Sequence, residues 1–487
     1  MVTRALALLL CLLSGQAWGT DKYCSPTGLS SGSCLTTGTA CSLSRCISTA
    51  GGVGDKLIMM PGTYTLGINQ NTNGTGPADS QRVIYEAYGY VAGHNNGDVI
   101  IDGLAAAFTD RTIAADSNYT SYRGLNIVVQ EVAGTGNRYG IRSENANSGI
   151  EVTDCDVYYK TTSAALAATT QQWGIYIQGP GFSLTRNTIH SVNTGININT
   201  DTGIPSGTVS YNTIYDLIPG DAEDADCINV GSTARDLAYA VKIFNNTCRG
   251  YRDDGIDLFG ASNALLYNNT IGDPIDDTQT SNSCIKAGKD SSTGNKITGN
   301  NCIHTGAHAG INEYGLVVNG LSSGLISGNI FKVNLVGIQN AQYLAAGGTN
   351  NIIVNNTAIG ANGYGISIDS SSSATLQNNY MEGGLKDMNV AGTVATGGNN
   401  NLLSGTSTVS GSYTGTDQSG SGGFSGGTSP TTAEGFCLES ALLGDGTYIG
   451  AYVLGYGGES LTNPPPIGAR GLCRSRPFAG TRPARSN

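Results

Sequence analysis

Asn187-Thr188-Ile189-His190-Ser191-Val192-Asn193-Thr194-Gly195-Ile196-Asn197-Ile198-Asn199 carries two signals: an Asn-Thr-Ile turn entering a short apolar stretch, then a Gly-Ile step in an alternating one. Both recur along the chain. The Gly-aliphatic step returns at Gly140-Ile141, Gly174-Ile175, Gly255-Ile256, Gly315-Leu316, Gly337-Ile338 and Gly365-Ile366, with Cys227-Ile228 and Cys284-Ile285 filling the gaps. From Gly140 to Gly365 is 225 residues over eight intervals, about 28 per repeat. The Asn turn keeps pace at Asn212-Thr213-Ile214, Asn246-Thr247, Asn269-Thr270-Ile271, Asn301-Cys302-Ile303, Asn329-Ile330, Asn356-Thr357 and Asn379-Tyr380. A fixed period of this length means a solenoid, a propeller or an array. Helical repeats are excluded because no stretch sustains a 3.6-residue apolar period. A propeller would want longer antiparallel hairpins and an aromatic motif per blade. Two or three short strands per repeat, with turns of unequal length, predict an all-β, right-handed parallel β-helix. Asn suits the recurring corner because it tolerates left-handed backbone and can hydrogen-bond to its own kind one coil above. The in-phase recurrence reads the Asn-x-Thr strings as turns before glycosylation sequons.

Composition agrees. Gly is the commonest residue at 71 of 487, and charged residues make up only 13%, too few for long amphipathic helices. Hydrophobic content of 39% suffices for a thin core, since only one strand residue in two points inward. Arg4, the apolar run Ala5 to Leu13 and Ala17-Trp18-Gly19 read as a signal peptide over residues 1–19. The run is short of the roughly 20 residues a membrane span needs. The expectation is a secreted, monomeric protein with no membrane partner. Twelve Cys suit an oxidising compartment, and loss of Cys11 with the signal leaves an odd number. Cys24, Cys34, Cys41 and Cys46 predict a disulfide-rich N-terminal cap over residues 20–54, with a short capping helix from Leu43 to Ala50. Gly54 to Tyr64 reads as the first coil, and residues 55–403 as the β-helix catalytic domain. Residues 404–432, rich in Gly, Ser and Thr, read as a linker; residues 433–487, with Cys437 and Cys473, are an unclassified C-terminal region. A net charge of −11 excludes nucleic acid bound by general attraction, and an acidic ligand would need a local reversal of sign.

Aligned on the Gly column, three coils read Asp226-Cys227-Ile228-Asn229, Asp254-Gly255-Ile256-Asp257 and Ser283-Cys284-Ile285-Lys286. With the Ile residues inward, alternation places Asn229, Asp257 and Lys286 outward in one column, about 4.8 Å apart. Gly255 is expected to leave an open floor beside Asp257. Cys227 and Cys284 share a column two coils apart, roughly 9–10 Å, too far for a disulfide, which needs Cα atoms within about 7 Å. Asp226, Asp253, Asp254 and Asp257 converge, and hard oxygen ligands at that density suit Ca²⁺. Asp276, Asp277 and Asp221 read as solvated turn residues. Arg249 and Arg252 flank the Asp turn, either to bind substrate carboxylates bidentately or to pair with Asp253 or Asp254. Lys289 is a further substrate-binding candidate, while His304 and His308 read as surface residues near the same face.

Asp253-Asp254-Gly255-Ile256-Asp257-Leu258-Phe259, preceded by Asp226 and followed by Lys286, resembles family 9 of the polysaccharide lyases, the β-helix pectate lyases. The resemblance covers about residues 220–319, with Cys227-Ile228 after Asp226 and Phe259 as its departures. It implies a catalytic Ca²⁺ on the Asp cluster and Lys286 as general base. The implied reaction is β-elimination on pectate or a related polyuronate, in which the metal bridges an acidic protein to an acidic polysaccharide. The same proton abstraction would serve a uronan epimerase or an alginate lyase, and a β-helix adhesin with structural Ca²⁺ is a non-catalytic alternative. Fold alone does not choose among them.

Overall fold

Short runs of Val, Ile and Thr between Asn- and Gly-marked corners form short strands, and in the computed structural model of the chain these strands stack in parallel. The structure describes residues 19–419 apart from 50–51, 107, 131–135, 145–146, 161–170, 200–205, 219–224, 232–239, 276–280, 289–291, 307–311, 344–345, 395–398, 404–409, 412 and 414–415. The signal-peptide reading, Lys289, His308, Asp221, Asp276, Asp277 and the C-terminal region lie outside the described residues. The chain divides into two units, residues 1–234 with 239–242, and residues 235–238 with 243–487. Each is a right-handed parallel β-helix of three parallel sheets.

In the first unit, Asp21–Leu29 opens one sheet and Gly62–Tyr64 another. The third runs from Ile68–Asn69 through Arg111–Ala114, Arg138–Ser143, Gln172–Ile177 and Thr194–Asn199 to Ile228–Gly231. Ile141, Ile175, Ile196 and Ile228 are successive partners in that sheet. In the second unit the equivalent column is Ile256, Ile285, Leu316, Ile338, Ile366 and Met388. All of these side chains are fully buried, and each stabilises its coil by roughly 1.5–3 kcal/mol. The predicted register therefore holds within both units.

The Gly column does something other than expected. A Cβ on Gly255 would lie 2.6 Å from the carbonyl oxygen of Cys284 and 2.8 Å from Ile271 Cγ2. Gly174 and Gly195 meet the next coil's carbonyl and an Ile methyl (Ile189, Ile214) in the same way. At this position the column residue and the aliphatic after it both face the core, and strict alternation fails. Gly255 is thus required by packing inside and is no open floor beside Asp257. Where the column carries Cys284, the opposing position carries Cys302, the strand partner of Ile271, and the two form a disulfide. Cys284 is accordingly not bonded to Cys227.

The Asn corner divides its work between adjacent residues. Asn245, Asn268, Asn355 and Asn378 take left-handed backbone, with φ of 55–57°. The residue after each is buried and forms a ladder. Asn269 Oδ1 accepts from the backbone N and Nδ2 of Asn246, while its own Nδ2 donates to Asn300 Oδ1. The ladder continues through Asn329, Asn356 and Asn379 to Asn401. In one coil the sequence reading is off by a residue, for Asn300 holds the ladder place and Asn301 opens the strand Asn301–Ile303.

Near the N-terminus the disulfide Cys24–Cys46 ties the short helix Leu43–Thr49 to the strand Asp21–Leu29, and Cys34–Cys41 closes the segment between them. Among the described residues Cys155 is the free thiol, fully buried. Strands Ser410–Gly411 and Thr416–Ser419 lie within the stretch read as a linker.

Candidate active site

The strand Asp254–Leu258 is buried along its whole length, and Ser281–Ala287 pairs with it so that Asp257 and Lys286 are direct partners. Asp254 and Asp257 reach the same ammonium and so share the outer side of the strand. Lys286 Nζ sits 2.9 Å from Asp254 Oδ2 and 3.4 Å from Asp257 Oδ2. Asp254 and Asp257 are 1% and 4% exposed, while the Lys286 side chain keeps 22% exposure. The ammonium also stands 6.0 Å from the centre of the Phe259 ring, a residue singled out from sequence only as a departure from a family pattern.

Burial works against the charged form of Lys286, but the carboxylates of Asp254, Asp257 and Asp253 outweigh it and hold the ammonium well above its ordinary pKa. In the metal-free protein Lys286 is therefore a cation clamped between acids, not a neutral base. Three carboxylates against one ammonium leave excess negative charge. The lysine occupies the place between two oxygen donors where another cation would fit, and the donor set of hard oxygens suits Ca²⁺.

The other sequence-predicted residues fall as follows. Asp226 lies in the first unit, 1% exposed, and its Oδ2 accepts from Asn229 Nδ2 at 3.0 Å. Asp253 is half-buried, and its backbone carbonyl accepts from Ser283 N. Arg252 is half-buried, and burial lowers its pKa; Arg249 is exposed. His304 is no surface residue: its ring is buried against Glu313, Tyr251 and Cys284. The Asn300 corner turns the strand Asn301–Ile303 so that Cys302 faces the core, and the chain leaving it carries His304 inward. Sequence reading missed Tyr251 and Glu313; the Cys302-x-His304 spacing was the available signal.

No family model and no curated protein matches this chain. Among solved structures, a mannuronic acid-specific polysaccharide family 6 lyase from human gut microbiota aligns with a TM-score of 0.57 at 13% identity, covering 83% of this chain and 92% of its own. A family 6 polysaccharide lyase from Pseudopedobacter saltans aligns at TM-score 0.48 and 13% identity, over 77% and 90%. Pectate lyase Pel9A aligns at 0.36 and 14%, over 94% and 98%. The first likeness shows a shared β-helix fold.

Proposed function

We propose that this protein is a polysaccharide lyase that cleaves an acidic, uronate-containing polymer by β-elimination, with Lys286 as base. The observation that carries the reading is Lys286 Nζ held on an outward face within 3.4 Å of two buried carboxylates, with an aromatic ring beside it. A solenoid does not need a buried Asp-Asp-Lys cluster for its stability, because such clusters cost desolvation that apolar residues would not. The fold-level neighbour described as mannuronic acid-specific supports a uronate as the substrate class.

Ca²⁺ on Asp253, Asp254 and Asp257 would neutralise the uronate carboxylate and offset the attraction that keeps Lys286 protonated. Asp226 is the fourth ligand that the sequence register offers. Lys286 takes the proton from the carbon next to the carboxylate, the bond from the neighbouring carbon to the glycosidic oxygen breaks, a carbon–carbon double bond forms, and the leaving oxygen is protonated. Arg252, with Arg249 and Lys289 nearby in sequence, supplies charge for uronate carboxylates of the same chain. The Phe259 ring stands 6.0 Å from the ammonium and offers its face to a bound sugar or to the cation. The disulfides of the cap suit export to an oxidising compartment, where such polymers occur.

The test is incubation with polymannuronate and with polygalacturonate, each with Ca²⁺ and with a chelator, while following the ultraviolet absorbance of the unsaturated product. Product on either polymer that disappears with Lys286→Ala supports the reading. Absence of unsaturated product on both overturns it.

A further inference from the structure

We propose that Cys284, Cys302 and His304 form a buried metal site for a thiophilic divalent ion of the zinc class, available when the disulfide between the two cysteines is open. His304 Nε2 lies 3.1 Å from Cys284 Sγ, and one donor atom from each of the three residues falls within 4.8 Å of the others. Zinc bound tetrahedrally at about 2.3 Å to sulfur and about 2.0–2.1 Å to nitrogen holds its ligands roughly 3.5–3.8 Å apart, so the site forms once the two sulfurs part from bonding distance and His304 Nε2 draws back slightly from Cys284 Sγ. Tyr251 Oη stands 2.9 Å from the same ring nitrogen and 3.5 Å from Cys284 Sγ, in position to complete a fourth corner.

The far side of the ring is equally specific. His304 Nδ1 is 3.0 Å from Glu313 Oε2. A carboxylate on the second ring nitrogen fixes the tautomer, presents Nε2 as a neutral donor and raises its basicity, which is the usual support of a metal-bound imidazole. Tyr251, Cys284, Cys302 and Glu313 are 0% exposed, and the His304 side chain 1%. A disulfide alone has no use for an imidazole and a carboxylate buried beside it, and their burial is costly. A Cys-Cys-His donor set with a carboxylate behind the histidine gives both a purpose. The cluster lies on the core side of the strand that carries Lys286 outward, so it is distinct from the carboxylate cluster.

Opening the site takes two electrons from a phosphine, which leaves as the phosphine oxide with its oxygen taken from water, and the two protons of that water complete the two thiols. Metal binding then expels both thiol protons, since the thiolate is the ligand. In the oxidised protein the two sulfurs are bonded to each other and the site does not exist.

The test titrates Co²⁺ into the full-length protein after phosphine reduction, following sulfur-to-cobalt charge-transfer absorbance and its loss when Zn²⁺ displaces the cobalt. The expected result is one tetrahedral ion per chain in reduced protein and none in oxidised protein. Cys284→Ser and His304→Ala should abolish the signal, and Glu313→Gln, which keeps the shape, should weaken affinity by roughly 10–100-fold. Circular dichroism checks that each variant folds; if His304→Ala does not, Glu313→Gln and Tyr251→Phe carry the comparison. A charge-transfer signal that is absent from the reduced parent, or unchanged in Cys284→Ser and in Glu313→Gln, overturns the proposal.

Discussion

Lys286 stands 2.9 Å from Asp254 Oδ2, and its chemistry turns on whether it can lose a proton. Arginine keeps the charge but not the acidity, because guanidinium stays protonated in the useful pH range. Lys286→Arg should therefore be as inactive as Lys286→Ala in an unsaturated-product assay, while Lys289→Ala keeps most activity. Burial favours the neutral amine, yet the carboxylates prevail and hold the lysine pKa up, so rising pH is what frees the base. With Ca²⁺ saturating, kcat/KM should climb on the alkaline side; a profile flat above neutrality would make Lys286 a charge partner only. One residue type tests the packing beneath. Gly255→Ala puts a Cβ 2.6 Å from a backbone oxygen that has little room to move, and should destabilise by about 1–3 kcal/mol in chemical denaturation. The pairing of Asp257 with Lys286 was legible because an apolar column fixes strand register. The inward face of Gly255 was not, because period-2 reading assumes strict alternation, and here Gly255 and Ile256 both face the core.

Along the corner element, two adjacent asparagines make a sharp comparison. Asn268 has φ of 55°, which glycine adopts at little cost, whereas buried Asn269 accepts from Asn246 and donates to Ile243 O and Asn300 Oδ1. Asn269→Ala strands several buried polar groups at about 1–3 kcal/mol each and should lower the denaturant midpoint markedly, while Asn268→Gly should change stability by less than about 1 kcal/mol. The recurrence of Asn was plain in the sequence; which of two neighbouring Asn carries the ladder was not, because both jobs favour the same residue type. In coils with Gly at the first position, as at Gly299-Asn300, the assignment becomes readable. A second corner in the first unit carries charge. Asp154, left-handed at φ 55°, accepts from Arg186 Nε, Tyr90 Oη and Gly93 N. Burial pushes its pKa up, but these donors outweigh it and the net direction is down. A depressed carboxylate contributes stability that is present above its unfolded pKa of about 3.9 and lost as pH falls through the folded value. Asp154→Asn should cost about 1–2 kcal/mol near neutrality, in the lower range because Arg186 is 40% exposed, and the difference from the parent should vanish in acid. Urea melts at neutral pH and in acid check both halves.

For the molecule as a whole, charge sets how it meets a polyanion. The net charge of −11 repels an acidic polymer at long range, while attraction is confined to a few cationic groups and the proposed metal ion. Steering by a basic surface is not available to such a chain, and its association should respond to salt with the opposite sign. Raising ionic strength from about 0.01 to 0.15 M shortens the Debye length from roughly 30 to roughly 8 Å. That range screens repulsion between distant surface charges more than contacts at a partly buried cluster, where Asp254 is 1% exposed. At saturating free Ca²⁺, KM for a long uronate polymer should therefore fall or stay level as NaCl rises over this interval, with kcat nearly unchanged. A short oligomer, which carries less charge past the surface, should show a smaller effect. Initial rates across a salt series on both substrates make the comparison. A KM that rises steeply with salt would mean that cationic side chains such as Arg249 and Arg252 dominate the encounter, and would move the weight of substrate binding from the metal to those side chains.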